Sequence, residues 1–234
     1  MGVKSQSILK KFGILFAVVC SLSACSSSAT SSSDAKLKPI AANKTTLSQL
    51  PSEINIPIKG KITRTGEVYL LRGLANVFSR GMDAMGAKMV RAGLDARVYN
   101  HSSWRTLADN IIVRSKKKKV SYPIVIMGHS LGGNASTQMA KYLGDNNVKV
   151  KYVVTFDPTV TTYVGKNINR VVNFYLPNDS NSNVVKKATG FRGALKNINV
   201  RGVRGLKHTT IEKDSKFHNQ VINRTLRYTK KRRK

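Results

Sequence analysis

An α/β fold, with a mostly parallel sheet and helices on both faces, is predicted for this 234-residue chain by two observations. From Glu67 to Tyr228, short apolar runs of strand type alternate with stretches of helical spacing, the order that builds a parallel sheet through crossover helices. In the middle of that stretch, Pro123-Ile-Val-Ile-Met-Gly-His-Ser-Leu-Gly-Gly carries an apolar strand straight into Ser130, with Gly128 and Gly132 two residues away on either side. No insertion long enough for a large lid separates the strands, so the domain is expected to be compact. The length suits one sizeable domain better than two.

The elements follow in order. A short edge strand at Ile54–Ile58 precedes the domain proper, Val68–Leu71 is a buried strand, Met82–Ala92 has helical spacing, and Ala96–Tyr99 is a second strand. Trp104–Ser115 is a helix with Trp104, Leu107, Ile111 and Ile112 on one face, closed by the Lys116–Lys119 run, whose cations suit a helix C-terminus. Ile124–Met127 is the third strand and Ser130–Leu143 the next helix, ended by Gly144. Val148–Phe156, Arg170–Leu176 and Ile198–Val203 are the fourth to sixth strands, and Asp214–Tyr228 is the last helix, capped by Asp214 or Ser215.

The N-terminus predicts a compartment. Residues 1–24 combine a basic start (Lys4, Lys10, Lys11), an apolar run from Phe12 to Cys20 and the ending Leu22-Ser23-Ala24-Cys25, which together resemble a bacterial lipoprotein signal peptide with its lipobox. That resemblance implies cleavage before Cys25, lipidation of Cys25, and, with Ser26 rather than aspartate following, the periplasmic face of the outer membrane. Residues 25–55 then form a lipidated, serine-rich tether, and residues 56–234 the catalytic domain with a basic tail. Both cysteines fall in or beside the signal, so the mature domain has no disulfide. The formal charge is +30, and removing residues 1–24, with three lysines and no acid, leaves +27. Such an excess calls for an anionic neighbour, and with a lipid anchor it predicts a membrane surface. Nucleic acid is not expected, because no aromatic platform interleaves the lysines.

The Gly128-x-Ser130-x-Gly132 spacing has a steric meaning. A serine at the tip of a sharp strand-to-helix turn needs neighbours without side chains, and the turn leaves its hydroxyl exposed above the sheet. The N–H of Leu131, at the helix start, is then placed to hold a developing oxyanion. An activated serine also needs a base and an acid that orients it. Beyond residue 25 the histidines are His101, His129, His208 and His218. His208 lies in a loop after the last strand and is the candidate base, His218 lies within the last helix as the alternative, and His129 is a packing or supporting residue. Asp157, at a strand end before Pro158, is the candidate acid, and Asp179 after the following strand is the alternative.

The order Ser130, Asp157, His208 and the hexapeptide Gly128-His-Ser-Leu-Gly-Gly resemble serine lipases and esterases of the α/β-hydrolase superfamily, over roughly Glu67–Tyr228. The resemblance implies hydrolysis of carboxylic esters or thioesters through an acyl-enzyme, with no cofactor and no metal. It places the acid one strand after the elbow, as in pancreatic-type lipases, while many members place it one strand later. A second oxyanion donor would come from Arg72-Gly73-Leu74, with the Leu74 N–H as candidate, although arginine stands where lipases often have histidine. Phe78 and Met82 are candidate walls of an acyl pocket or core residues, and His101–Trp104 borders the substrate or caps a helix through Ser102 or Ser103. The competing expectation is a non-catalytic envelope lipoprotein of the same fold that binds anionic lipid or polymer.

Overall fold

Neighbouring residues of the first strand, β1 (Glu67–Arg72), belong to different cores: Val68 and Leu70 join one buried cluster, Tyr69 and Leu71 the other. A strand buried on both faces needs a helix layer on each. The computed structural model describes residues 53, 60–74, 79–177 and 183–233, which lie in one compact unit. Of the expectations above, the signal peptide, Cys25, the tether apart from Glu53, the Ile54–Ile58 strand, Phe78 and Asp179 lie outside the described residues.

On one face, Met82, Met85 and Met89 of α1 (Arg80–Arg91) and Val221 and Ile222 of α4 (Ser215–Tyr228) cover Val68 and Leu70. On the other, Leu107 and Ile111 of α2 (Trp104–Lys116) and Met139 and Leu143 of α3 (Leu131–Asp145) cover Tyr69 and Leu71. Each such side chain removed from water contributes roughly 1.5–3 kcal/mol before conformational entropy is set against it. Between the layers runs a six-stranded sheet in the order β2-β1-β3-β4-β6-β8, with every pairing parallel. Its further members are β2 (Ala96–Asn100), β3 (Ile124–His129), β4 (Val150–Phe156), β6 (Ile168–Tyr175) and β8 (Ala194–Asn199). A second, two-stranded sheet pairs β5 (Thr162–Val164) with β7 (Val185–Lys187).

The strand order places the chemistry. From β1 the chain moves outward to β2 and then returns to lay β3 on the other side of β1, so the connections diverge between β1 and β3. The crevice outside the carboxyl ends of two such strands is where sheets of this kind bind ligands. Gly73 follows β1 there, and Ser130 follows β3.

Three expectations are corrected. The sixth strand is Ala194–Asn199, not Ile198–Val203, and β5 and β7 were not anticipated. β8 is a largely exposed edge strand, and its register is held by polar contacts: Asn197 accepts from Val185 N and donates to Val185 O, both at 2.9 Å, and accepts from Asn173 Nδ2 at 2.9 Å. Gly144 does not end its helix, which continues to Asp145; a Cβ at Gly144 would stand 2.1 Å from the Lys166 carbonyl oxygen, so packing excludes a side chain there. The cap before α2 is supplied by Asn100, whose Oδ1 accepts from the backbone N–H and the hydroxyl of Ser102, not by Ser102 or Ser103. At α4 the cap is Asp214, accepting from Lys216 N and Phe217 N.

Asn173, fully buried in β6, links this sheet to the carboxyl edge: it accepts from Thr155 Oγ1 at 2.7 Å and donates to Asn183 O at 3.0 Å as well as to Asn197. Asn173→Leu strands these partners in an apolar interior. A loss of about 2–4 kcal/mol in unfolding free energy is expected in a urea titration, and a change under about 0.5 kcal/mol would contradict the account.

Candidate functional site

The turn after β3 is built by absent side chains. A Cβ on Gly128 would lie 2.0 Å from the Gly132 carbonyl oxygen, and one on Gly132 would lie 2.1 Å from that of Leu71. Helix α3 can therefore start directly against β1 and β3, and Ser130 between the two glycines adopts φ 58° and ψ −124°. That region is strained for a serine and persists only where the surroundings enforce it. Here Ser130 N donates to Phe156 O at 3.0 Å, and the Ser130 carbonyl accepts from Gly133 N at 2.8 Å.

Asp157 follows β4, again with a positive φ of 48°, and is 4% exposed. Its Oδ1 accepts from Leu176 N at 2.9 Å and from Asn183 Nδ2 at 2.8 Å, which leaves Oδ2 directed at a single partner, His208 Nδ1, at 2.7 Å. On the far side of the ring, His208 Nε2 lies 3.0 Å from Ser130 Oγ. The partners assign the tautomer: Nδ1–H donates to the carboxylate, and Nε2 accepts the serine proton. The hydrogen bond to Asp157 holds the His208 imidazole above its ordinary range, outweighing the opposite effect of burial. The loop after β4 is tied to α3, since Asn134 Nδ2 donates to Thr159 Oγ1 at 2.7 Å and Thr159 N donates back to Asn134 Oδ1 at 3.0 Å.

Thus Ser130, Asp157 and His208, far apart in sequence, form one hydrogen-bonded chain at the carboxyl edge of the sheet. His218 does not join it. It is buried in α4, donating through Nε2 to Glu212 O at 2.6 Å and receiving Lys88 Nζ at Nδ1, 3.2 Å away. Met82 is buried in the α1 core rather than lining a substrate pocket.

Sequence reasoning missed what stands behind the chain. His129, 1% exposed, spans two loops: Nδ1 lies 2.9 Å from Ser79 Oγ and Nε2 lies 2.7 Å from His208 O. Because a carbonyl only accepts, Nε2 carries the proton and Nδ1 accepts from the Ser79 hydroxyl, whose oxygen in turn accepts from Gly73 N at 2.9 Å. Burial pushes the His129 imidazole down to about 4, which keeps it neutral and keeps this direction of donation intact. The result is a continuous relay from the backbone of Gly73 to the backbone of His208. The Gly73 carbonyl is also engaged, with His101 Nδ1 at 3.2 Å, and Arg72 beside it forms a two-pronged pair with Asp83 of α1. His101 therefore pins the loop after β1. The only sequence signal for the relay was a histidine inside the elbow itself.

Glu212 sits against this relay, fully buried, with neither carboxyl oxygen hydrogen-bonded; the amides of Gly81 and of Glu212 itself and Lys213, whose Nζ lies 4.0 Å from Oε1, only partly offset the burial. Burial pushes it up to about 7. Its Oε2 lies 3.8 Å from His129 Nε2, but with the imidazole at about 4 and the carboxyl at about 7 both are neutral in between, so the contact is not an ion pair. Among the described residues no group of histidine, cysteine and carboxylate side chains is arranged to hold a metal ion.

The family model for lipase (class 3) matches residues 45–185, more than half of the chain and including both Ser130 and Asp157. The chain belongs to the class 3 lipase family. It is accordingly a hydrolase acting on esters. A search of curated proteins finds no match. Among solved structures this lipase-family chain is similar to Est1E from Butyrivibrio proteoclasticus, with 12% identity, 71% of this chain and 89% of that one covered, and a TM-score of 0.44. It is also similar to an esterase from Pyrobaculum calidifontis, with 14% identity, coverage of 74% and 80%, and a TM-score of 0.43.

If the relay holds the two loops in register, His129→Phe, which keeps the ring and removes both nitrogens, lowers kcat on p-nitrophenyl butyrate by about 10- to 100-fold with KM little changed. Ser79→Ala acts in the same direction, and the double variant loses less than the product of the two. A change confined to KM, or independent effects, would contradict a positioning role.

Proposed function

We propose that the protein is a serine hydrolase that cleaves carboxylic esters or thioesters through an acyl-enzyme on Ser130. The observation that carries this reading is the unbroken chain from Ser130 Oγ through His208 at 3.0 Å to Asp157 at 2.7 Å, with the serine held in a strained turn. In the first half, Ser130 Oγ attacks the ester carbonyl while His208 Nε2 takes its proton, and Asp157 stabilises the imidazolium that forms. The negative charge on the carbonyl oxygen is received by the N–H groups of Leu131, at the first turn of α3, and Leu74, next to Gly73. Collapse of this intermediate breaks the bond to the alcohol or thiol, which leaves with the proton from His208. In the second half, His208 deprotonates water, which attacks the acyl-enzyme and releases the acid and free Ser130.

The same proposal assigns the protein to the bacterial envelope, lipidated on Cys25 and held by the serine-rich tether at the periplasmic face of the outer membrane. The sequence features of residues 1–33 and the charge of +30 support it. No helix among the described residues is long and apolar enough to cross a membrane.

Only neutral His208 accepts the serine proton, so kcat/KM rises with pH through the pKa of this group. The Asp157 contact raises that pKa, so the midpoint of the acid limb is expected above about 6.5. Asp157→Asn removes the main cause of the rise; it should move the limb to lower pH and reduce kcat on the order of 10⁴-fold, the scale found for this substitution in other triads. A p-nitrophenyl ester series of increasing chain length, assayed across pH, reads both effects and the acyl preference. A limb that does not move, or undiminished kcat in the Asp157→Asn variant, would remove Asp157 from its role.

A further inference from the structure

In a sheet whose strands all run the same way, the residues that lead into each strand share one edge, opposite the edge that carries Ser130. On this protein that edge is cationic at loop after loop. The exposed Lys116–Lys119 run leads into β3, Lys149 into β4, Lys166 into β6 and Arg192 into β8. The basic tail is fastened to it as well, for Thr65 N donates to Lys230 O at 2.8 Å and Arg64 forms a β-bridge with Lys231, just before β1. The acids at this edge are already matched: Glu67 pairs with Arg114 at 2.7 Å, Asp95 with Arg97 at 2.9 Å and Asp145 with Lys141 at 2.7 Å, while Glu53 lies beside Arg97.

A groove of about 960 Å³ opens on the same edge. Pro123, Val150 and Ile168 contribute apolar surface, the rings of Tyr122 and Tyr228 flank it, and Lys149, Lys151, Lys166 and Arg192 supply the charge. Lys151 Nζ lies 5.0 Å from the centre of the Tyr228 ring. Cations around an apolar, tyrosine-flanked recess suit an amphiphile with an anionic head and an apolar body, and tyrosine is a side chain that settles at the headgroup level of a bilayer. A nucleic acid offers the charge without the apolar body.

We infer that the strand-entry edge is a docking face for anionic phospholipid headgroups, so that the bound domain presents Ser130 and His208 away from the bilayer. The class of substrate changes with this orientation: the candidate triad faces esters arriving from the aqueous side rather than the lipids of the membrane to which the protein is bound. The orientation rests on the envelope reading proposed above, whereas the charged edge does not. The described chain enters the domain at this edge too, with Thr63 N and Arg64 N both donating to Gly93 O ahead of β1.

The test places the full chain in phosphatidylcholine vesicles with and without phosphatidylglycerol and maps lysine acetylation residue by residue by mass spectrometry. Phosphatidylglycerol is expected to slow labelling of Lys117, Lys149 and Lys166 several-fold at low ionic strength, to lose that protection as salt shortens the Debye length to a few ångströms, and to leave Lys207 and Lys213, beside the candidate triad, unchanged. Identical labelling in the two vesicle types, or protection of Lys207 and Lys213 instead, overturns the proposal. So does equal protection of the edge by a DNA duplex that displaces the vesicles, which would make nucleic acid the occupant. The triple variant Lys149→Glu, Lys166→Glu, Arg192→Glu should lose protection at Lys117, while Arg80→Glu, Arg204→Glu, Lys216→Glu, the same charge change at the exposed carboxyl edge, should keep it; equal loss would mean net charge without a face and would also overturn it. Undiminished p-nitrophenyl butyrate hydrolysis in both variants reports intact folding, and the wild-type labelling map decides the matter even if a variant fails to fold. Mass analysis of Cys25 separates the two readings: an unlipidated cysteine ends the tether, while the same map, taken with the chain added to vesicles from solution, still decides the edge.

Discussion

The backbone of Ser130 depends on two hydrogen atoms standing where side chains would otherwise be. With a Cβ at Gly128 or Gly132, α3 would have to move off β1 and β3, since the nearest backbone oxygens lie about 2 Å from those positions. The close approach fixes φ of Ser130 at 58° and sets its hydroxyl at the divergence of the strand connections. Everything else at the carboxyl edge is arranged against that point: Gly73 after β1, Asp157 after β4, and the loop that carries His208. Strain of this kind costs on the order of 1–3 kcal/mol and is sustained by the packing of the two apolar cores beneath it.

Behind the serine, stability and site geometry are the same set of contacts. Asn173 holds β6 to Thr155 of β4 and to Asn197 of β8, and also bonds the carbonyl of Asn183; the Asn183 side chain in turn bonds Asp157. His129 performs the equivalent function between Ser79 and His208. Buried polar groups in an apolar interior are costly unless fully partnered, so these networks tolerate few arrangements. Beside Asn183 Oδ1 and Thr162 Oγ1, which are also buried without a partner, Glu212 departs furthest from this rule, with a buried carboxyl that has no hydrogen bond and that stays protonated up to about pH 7. Its neutral form is what the neighbouring neutral His129 accommodates.

Much of this was legible in the sequence because it is local. The alternation of apolar runs with helical stretches specifies a two-faced parallel sheet, and the glycine spacing around Ser130 specifies a turn. Asp157 and His208 were visible as polar residues following strands, and the structure brings both to Ser130. Edge strand β8 was misplaced because its residues Ala194-Leu-Lys-Asn-Ile-Asn carry little apolar pattern, and asparagine contacts set its register instead. Ser79 and Asn183 left no signal: each is an ordinary polar residue in a loop, and its partner is far away along the chain. Periodicity reports burial, but it does not report which buried polar atoms face each other.

A fluorophosphonate probe tests most directly whether Ser130 is an activated nucleophile, because phosphonylation requires the attack that the geometry prepares and forms a stable bond at the attacking oxygen. Peptide mapping of the labelled protein should find the whole adduct on Ser130, with labelling lost in Ser130→Ala and strongly slowed in His208→Ala. An adduct on another residue, or undiminished labelling of Ser130→Ala, would contradict the account.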